Sequence, residues 1–143
     1  MRILILNGVN LNLTGTRRPE VYGSETLDDI NAQIAQRAQK LGLECDFFQT
    51  NFEGELVEAL HRARGVYGGV VLNAGAWTHY SYAIHDAVEA IELPVIETHM
   101  SDITKREPFR AKSVLSEVCA ATVMGLGKGS YFKAVEILAE MIK

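Results

Sequence analysis

Three short segments of this 143-residue chain gather the side chains able to move protons or hold an anion. The first reads Asn7-Gly8-Val9-Asn10-Leu11-Asn12 and continues Gly15-Thr16-Arg17-Arg18-Pro19-Glu20-Val21-Tyr22-Gly23. Asparagines straight after an apolar run can close Asx turns. Arg17 and Tyr22 suggest chemistry. A guanidinium near a phenol favours the phenolate and draws its pKa down from about 10. Tyr22 would then accept a proton from an acidic C–H bond, although spacing alone favours a plainer account, with Tyr22 packed at a loop base and Arg17 in solvent.

The second segment, Leu72-Asn73-Ala74-Gly75-Ala76-Trp77-Thr78-His79-Tyr80-Ser81, has small residues that bring backbone close to a ligand. Thr78 or Tyr80–Ser81 can cap the following helix, His79 is a candidate ligand contact, and Trp77 suits either apolar surface or a ligand. The third reads Glu97-Thr98-His99-Met100-Ser101-Asp102-Ile103, then Lys105-Arg106-Glu107-Pro108-Phe109-Arg110. Two residues apart on a strand, Glu97 and His99 share a face, and a carboxylate orienting an imidazole is a common acid–base pairing. Ser101 and nearby backbone N–H groups can hold a carboxylate. A zinc site built on His79, His99 and a carboxylate lacks tight ligand spacing. Gly125-Leu126-Gly127-Lys128-Gly129-Ser130 follows the last strand without the full dinucleotide fingerprint, so it reads as a turn that starts a helix.

These segments need elements to hold them. Short β-rich runs are expected at Arg2–Asn7, Glu44–Gln49, Gly69–Asn73, Val95–His99 and Val118–Met124. Helical spacing is expected over Thr26–Leu41 (Leu27, Ile30, Ile34, Ala38, Leu41) and Glu53–Arg64 (Leu56, Val57, Leu60, Ala63). It recurs over Ser81–Ile91 (Ile84, Ala87, Val88, Ile91) and Tyr131–Ile142 (Val135, Leu138, Ile142). Strands that are continuous apolar runs belong to a parallel sheet covered on both faces. The pattern predicts an α/β chain, a flavodoxin-like doubly wound five-stranded parallel sheet in one domain over residues 1–143. Gly8–Glu25 and Met100–Val114 are long and without helical period, as expected of lids or binding loops. With Asn73–Tyr80 they emerge at the carboxyl edge of the sheet, where open α/β folds bind ligands.

Composition narrows the function. The chain is 48% hydrophobic and 22% charged, ordinary for a soluble globular protein, with a net charge of -4 that disfavours general nucleic-acid binding. No apolar run is long enough to span a membrane, and the N-terminal residues lack signal-peptide architecture. Cys45 and Cys119 lie in apolar runs and read as reduced thiols, which places the chain in the cytoplasm. The charge is uneven: the loops holding Arg17, Arg18, Lys105, Arg106, Arg110 and Lys112 carry +2 after Glu20, Glu25, Asp102 and Glu107, against -6 elsewhere. That suggests a local anion site on an acidic body, with scattered surface charge as the plainer account.

Together these motifs resemble the type II 3-dehydroquinate dehydratases (type II dehydroquinases). The resemblance rests on Asn7-Gly8-x-Asn10-Leu11-Asn12, Gly15-Thr16-Arg17, Pro19-Glu20-Val21-Tyr22-Gly23, Asn73-Ala74-Gly75-Ala76-x-Thr78-His79, Glu97-x-His99-x-Ser101 and Arg106-Glu107-Pro108-Phe109-Arg110, in order and at matching separations. It implies a flavodoxin-like hydro-lyase of the shikimate pathway of aromatic amino-acid biosynthesis. Such an enzyme converts 3-dehydroquinate to 3-dehydroshikimate by anti elimination of water through an enolate, without cofactor or metal. By the same resemblance Tyr22 takes the proton next to the ketone and Arg17 favours its phenolate. Asn10 holds the water that stabilises the enolate oxygen, and His99, oriented by Glu97, protonates the departing hydroxyl. Asn73, His79 and Arg110 bind ring hydroxyls, while Ser101 and the Met100 backbone bind the carboxylate. Asp86 reaches a neighbouring subunit's site in a homododecamer built from trimers, with residues 8–25 as lid. Three positions depart from the family pattern: Val9 replaces proline, Arg18 replaces glutamate, and His85 stands where arginine is frequent. A dehydroquinase-like protein that binds a related cyclic carboxylate without turnover is the alternative.

Overall fold

The computed structural model describes residues 1–16 and 19–143, with the backbone but not the side chains of Val21 and Tyr22. Strands β1 (Arg2–Asn7), β2 (Glu44–Gln49), β3 (Gly69–Asn73) and β4 (Val95–His99) occupy the ranges expected from their apolar runs. With β5 (Ala121–Met124) they form one parallel sheet in the order β2-β1-β3-β4-β5. The chain is therefore the flavodoxin-like α/β sheet its pattern predicts.

β5 is shorter than expected. The N–H groups of Val118 and Cys119 both donate to the Leu115 carbonyl at 3.1 Å, closing a turn where an apolar run suggested strand. Pairing with β4 begins beyond it, as the Ala120 N–H reaches the Val95 carbonyl at 2.8 Å.

Helices α2 (Leu27–Lys40), α3 (Glu53–Ala63), α4 (Tyr82–Ile91) and α5 (Gly129–Met141) cover the sheet. A one-turn helix, α1 (Pro19–Tyr22), and a 3-10 turn at Leu11–Leu13 lie in the connection expected to be without helix. Neither is long enough to show a period. α2 starts on a capping box, in which Thr26 Oγ1 accepts from the Asp29 N–H and Asp29 Oδ2 from the Thr26 N–H. It stops at Gly42, whose φ of +79° lies in the left-handed region. Leu41, expected on its buried face, is left outside at the helix end.

Alternation along the strands divides the core. Leu4, Leu6, Val70, Leu72 and Val95 point toward α3 and α4, while Ile3, Ile5, Val71, Ile96 and Val123 point toward α5 and α2. Each fully buried aliphatic side chain contributes roughly 1.5–3 kcal/mol. β3 and β4 are buried throughout, while β2, at one edge, is only half covered.

From β1 the chain goes to β2 on one side and returns to β3 on the other, so the crevice at the carboxyl ends of β1 and β3 is the switch point where such sheets bind ligands. The two loops there interlock. The Gly8 N–H donates to the Asn73 carbonyl at 2.7 Å, and a Cβ on Gly8 would lie 2.5 Å from the Ala74 carbonyl oxygen. No larger residue fits without prising the loops apart.

Candidate active site

β4 delivers the central pair. Glu97 and His99 share a strand face, as expected, and His99 Nε2 lies 2.7 Å from Glu97 Oε2. Glu97 is fully buried and His99 nearly so. The carboxylate also receives Thr78 Oγ1 at 2.9 Å and Ser113 Oγ at 2.6 Å on Oε2, with Ser116 Oγ at 2.7 Å and Thr122 Oγ1 at 3.1 Å on Oε1. Burial alone would push the Glu97 carboxyl up, but the His99 and Ser113 hydrogen bonds, the His99 charge and the Ser116 bond outweigh it and hold it at about 2. Glu97 is thus ionised across the ordinary working range.

The β3 loop sits beside this pair. Its 3-10 turn Gly75–His79 buries Trp77 in the core. Ser81, and not Thr78, caps α4, accepting from the Ile84 N–H at 3.0 Å. His79 Nδ1 donates to the Lys112 carbonyl at 2.8 Å, which leaves Nε2 as the free nitrogen of that ring. The Val114 N–H donates to the Thr78 carbonyl, so the segment after Arg110 is fastened along this turn.

At the switch point Asn7 and Asn73 face each other across β1 and β3. The buried Tyr131 hydroxyl on α5 donates to Asn7 Oδ1 at 2.6 Å and accepts from Asn73 Nδ2 at 2.9 Å. Burial raises the Tyr131 phenol, and the Asn73 bond only partly opposes it. Asn73 Oδ1 also accepts from the Gly75 N–H, so one amide hydrogen of Asn73 is left over for a ligand. Asn10 has a φ of +68°, a left-handed conformation that asparagine tolerates. Its N–H is fixed by Asn51 Oδ1 at 2.8 Å. The exposed residue Asn10 thus stands on a braced turn.

Met100 gives its carbonyl to the Gly127 N–H at 3.0 Å, tying the β4 and β5 loops together, and Ser101 next to it is exposed. Gly125–Ser130 forms the expected helix-starting turn, with Ser130 Oγ accepting from the Leu126 N–H. Arg110 ends a 3-10 turn, its guanidinium 2.6 Å from Glu107 and over the Phe109 ring. Asp86 stands apart, on the exposed surface of α4 beside His85. Arg17 and the Tyr22 side chain lie outside the described residues.

The fold therefore joins Glu97 to His99 directly, and sets Asn73 at the end of β3 with His79 in the turn that follows it. Asp86 it leaves on the outside. Sequence reasoning missed the hydroxyls of Ser113, Ser116 and Thr122, and the Asn7–Tyr131–Asn73 bridge. A hydroxyl two residues along β5 from Met124, at the register position opposite Glu97, was the one available signal. Both cysteines are free, their thiols pushed up by burial to about 11 at Cys45 and about 12 at Cys119.

Comparison with known proteins adds an independent line. The family model for Dehydroquinase class II matches residues 1–139. A protein of Pseudomonas putida named 3-dehydroquinate dehydratase 2 is 51% identical over 141 residues, 99% of this chain and 95% of the relative. One from Pelodictyon phaeoclathratiforme, named 3-dehydroquinate dehydratase, is 54% identical over 143 residues, 99% of this chain and 93% of the relative. Among solved structures, a type II dehydroquinase from Propionibacterium acnes superposes with a TM-score of 0.92 at 40% identity, over 97% of this chain and 96% of that one.

Proposed function

This chain belongs to the class II dehydroquinase family, and from that premise we propose that it removes water from 3-dehydroquinate to give 3-dehydroshikimate in the shikimate pathway. The observation that carries the reading is the buried Glu97–His99 pair at the carboxyl end of β4, within a chain matched to the family along nearly its full length. Abstraction of a proton next to a ketone needs a base, a stabiliser for the enolate and an acid for the leaving group. In this reading the Tyr22 phenolate takes the proton, with Arg17 favouring its charged form, and the electron pair moves onto the ketone oxygen. Asn10 holds the water that stabilises that oxygen. The enolate then collapses, the C1 hydroxyl leaves with a proton from His99, and water is released on the face opposite the proton removed.

Asn73, His79 and Arg110 bind the ring hydroxyls, and Ser101 with the Met100 backbone binds the carboxylate. The +2 balance of the two loops suits a carboxylate substrate. We further propose that residues 1–143 act as one catalytic domain with residues 8–25 as its lid, and that it works in the cytoplasm. Copies assemble as trimers into a dodecamer, where Asp86 serves a neighbour. Among the described residues no helix is long and apolar enough to cross a membrane.

Mixing the protein with 3-dehydroquinate and following the absorbance of the conjugated product tests the proposal. Enone absorbance should rise, and Tyr22→Phe should abolish the rise while the far-UV circular dichroism stays unchanged. Folded protein that binds 3-dehydroquinate and forms no product would instead establish the binding protein of related cyclic carboxylates. Light scattering on the eluting protein decides the assembly state.

A further inference from the structure

Glu97 sits inside a ring of hydroxyls that the proposed elimination does not itself require. An ionised carboxylate only accepts hydrogen bonds, through about four lone-pair sites, and Thr78, Ser113, Ser116, Thr122 and His99 supply five donors. Ser113 Oγ accepts from the Leu115 N–H at 3.1 Å and lies 3.4 Å from Thr78 Oγ1, but at 2.6 Å from an ionised carboxylate oxygen that can only accept, its single hydrogen points at Glu97. Together with the His99 hydrogen bond and charge, these hydroxyls offset the desolvation of the buried carboxylate. The full negative charge therefore stays available to the imidazole.

A saturated, ionised acceptor dictates the imidazole. Nε2 faces Glu97 Oε2 at 2.7 Å and has to carry the hydrogen there, so Nδ1 is the nitrogen left over. We propose that Thr78, Ser113, Ser116 and Thr122 are positioning residues that lock His99 as the Nε2–H form, so that Nδ1 alone exchanges a proton with the substrate. This rests on the reading of His99 as the acid for the leaving hydroxyl. The donors come from three places: the turn after β3, the segment after Arg110, and β5. Closing those pieces around Glu97 is what orients the ring. Among the described residues the titratable groups that act on Glu97 are His99 on β4 and Cys119 just before β5, whose thiol stays neutral up to about 12 through burial and the Glu97 charge. The contacts from the turn after β3 and from β5 are uncharged hydroxyls.

The test combines imidazole 15N spectra with the pH dependence of kcat for the whole protein, Ser113→Ala, Ser116→Ala and the double variant. In the wild type a neutral His99 should show Nε2 protonated and Nδ1 bare. In the double variant the nitrogens should move toward a tautomer mixture. Losing both donors should cost about tenfold in kcat near pH 3 with little loss at neutral pH, and each single variant should lose less. The acid limb should move upward in pH with KM changed less than about twofold, and Ser113→Thr should restore the profile. An unaltered tautomer, or a loss of kcat equal at every pH, overturns the proposal, even if the variants melt earlier. If the wild type does not turn over 3-dehydroquinate, the functional reading falls, while the 15N spectra still decide the locked tautomer.

Discussion

His99 and His85 are both held by carboxylates at hydrogen-bond distance, and the surroundings make them different devices. His99 meets one carboxylate, Glu97, in a site closed to solvent. His85 lies between two, with Nδ1 2.9 Å from Asp86 and Nε2 2.8 Å from Glu117, whose side chains are 79% and 77% exposed. At the inner site the carboxylate is saturated by hydroxyls and its charge is fixed, so the ring takes one orientation. At the outer site water solvates both carboxylates, and a neutral ring has one N–H for two acceptors. Burial and donor count, not the pairing of a histidine with an acid, separate a site for chemistry from a surface fastening.

The most forceful way to break this contrast is to empty the inner site. Glu97→Ala leaves four hydroxyls and an imidazole around a void, and should cost about 3–5 kcal/mol in unfolding free energy, the range for breaking a buried charged network. If His99 is the general acid proposed above, the substitution should also cut kcat by at least about a hundredfold as that acid loses its orientation. Glu117→Ala at the outer site should cost less than about 1 kcal/mol. Urea melts of the two variants side by side decide it. Equal losses would show that the hydroxyl ring adds nothing a solvated pair lacks.

A second, smaller effect is the acid stability of the inner site. The folded Glu97 carboxyl, at about 2, lies below its ordinary value of 4.5. The stability it confers is therefore fully present above that ordinary value and is lost as pH falls toward 2. By linkage the loss approaches about 3 kcal/mol across this window. The urea midpoint should fall more steeply between pH 5 and pH 2 in the wild type than in Glu97→Gln, which has no proton to take up. Parallel slopes would place the acid sensitivity elsewhere.

The inner pair was legible because strand geometry has a period of two, so Glu97 and His99 had to share a face once Val95–His99 was read as a strand. The same logic located β1 to β4 by their apolar runs. It failed at Val118–Ala120, where an apolar stretch packs as a turn on the Leu115 carbonyl. It failed at Pro19–Tyr22 too, because one helical turn shows no period. The hydroxyl ring was hidden for a different reason. Ser113 and Ser116 lie in a segment without regular structure, and their meeting with Thr78 and Thr122 depends on a turn, that segment and strand β5 closing around one strand end. Thr78 read as a helix cap because local capping is visible in sequence, whereas a partner nineteen residues on is not.

The finest distinction concerns the outer histidine. Its pKa is raised above 6.5, first by the Asp86 hydrogen bond and then by that of Glu117. A raised folded value means that the fastening is complete below 6.5 and loosens as pH climbs through the folded pKa, the reverse of Glu97. Followed by NMR through its ring Cε1–H signal, His85 should titrate above 6.5. Glu117→Gln should bring the midpoint part of the way back, and Asp86→Asn further, in the order of the two contributions. A midpoint at or below 6.5, or one indifferent to Glu117, would mean that solvent already screens the pair. Glu117 follows Ser116 directly, so one residue of this segment faces outward to α4 and the next one back faces inward to Glu97. If the outer fastening matters to the inner site, raising the pH past the His85 midpoint should change the Ser116 contact. Comparing the 15N shifts of His99 in wild type and Glu117→Gln across that midpoint reads the connection. Identical shifts throughout would show that the two histidines are energetically independent.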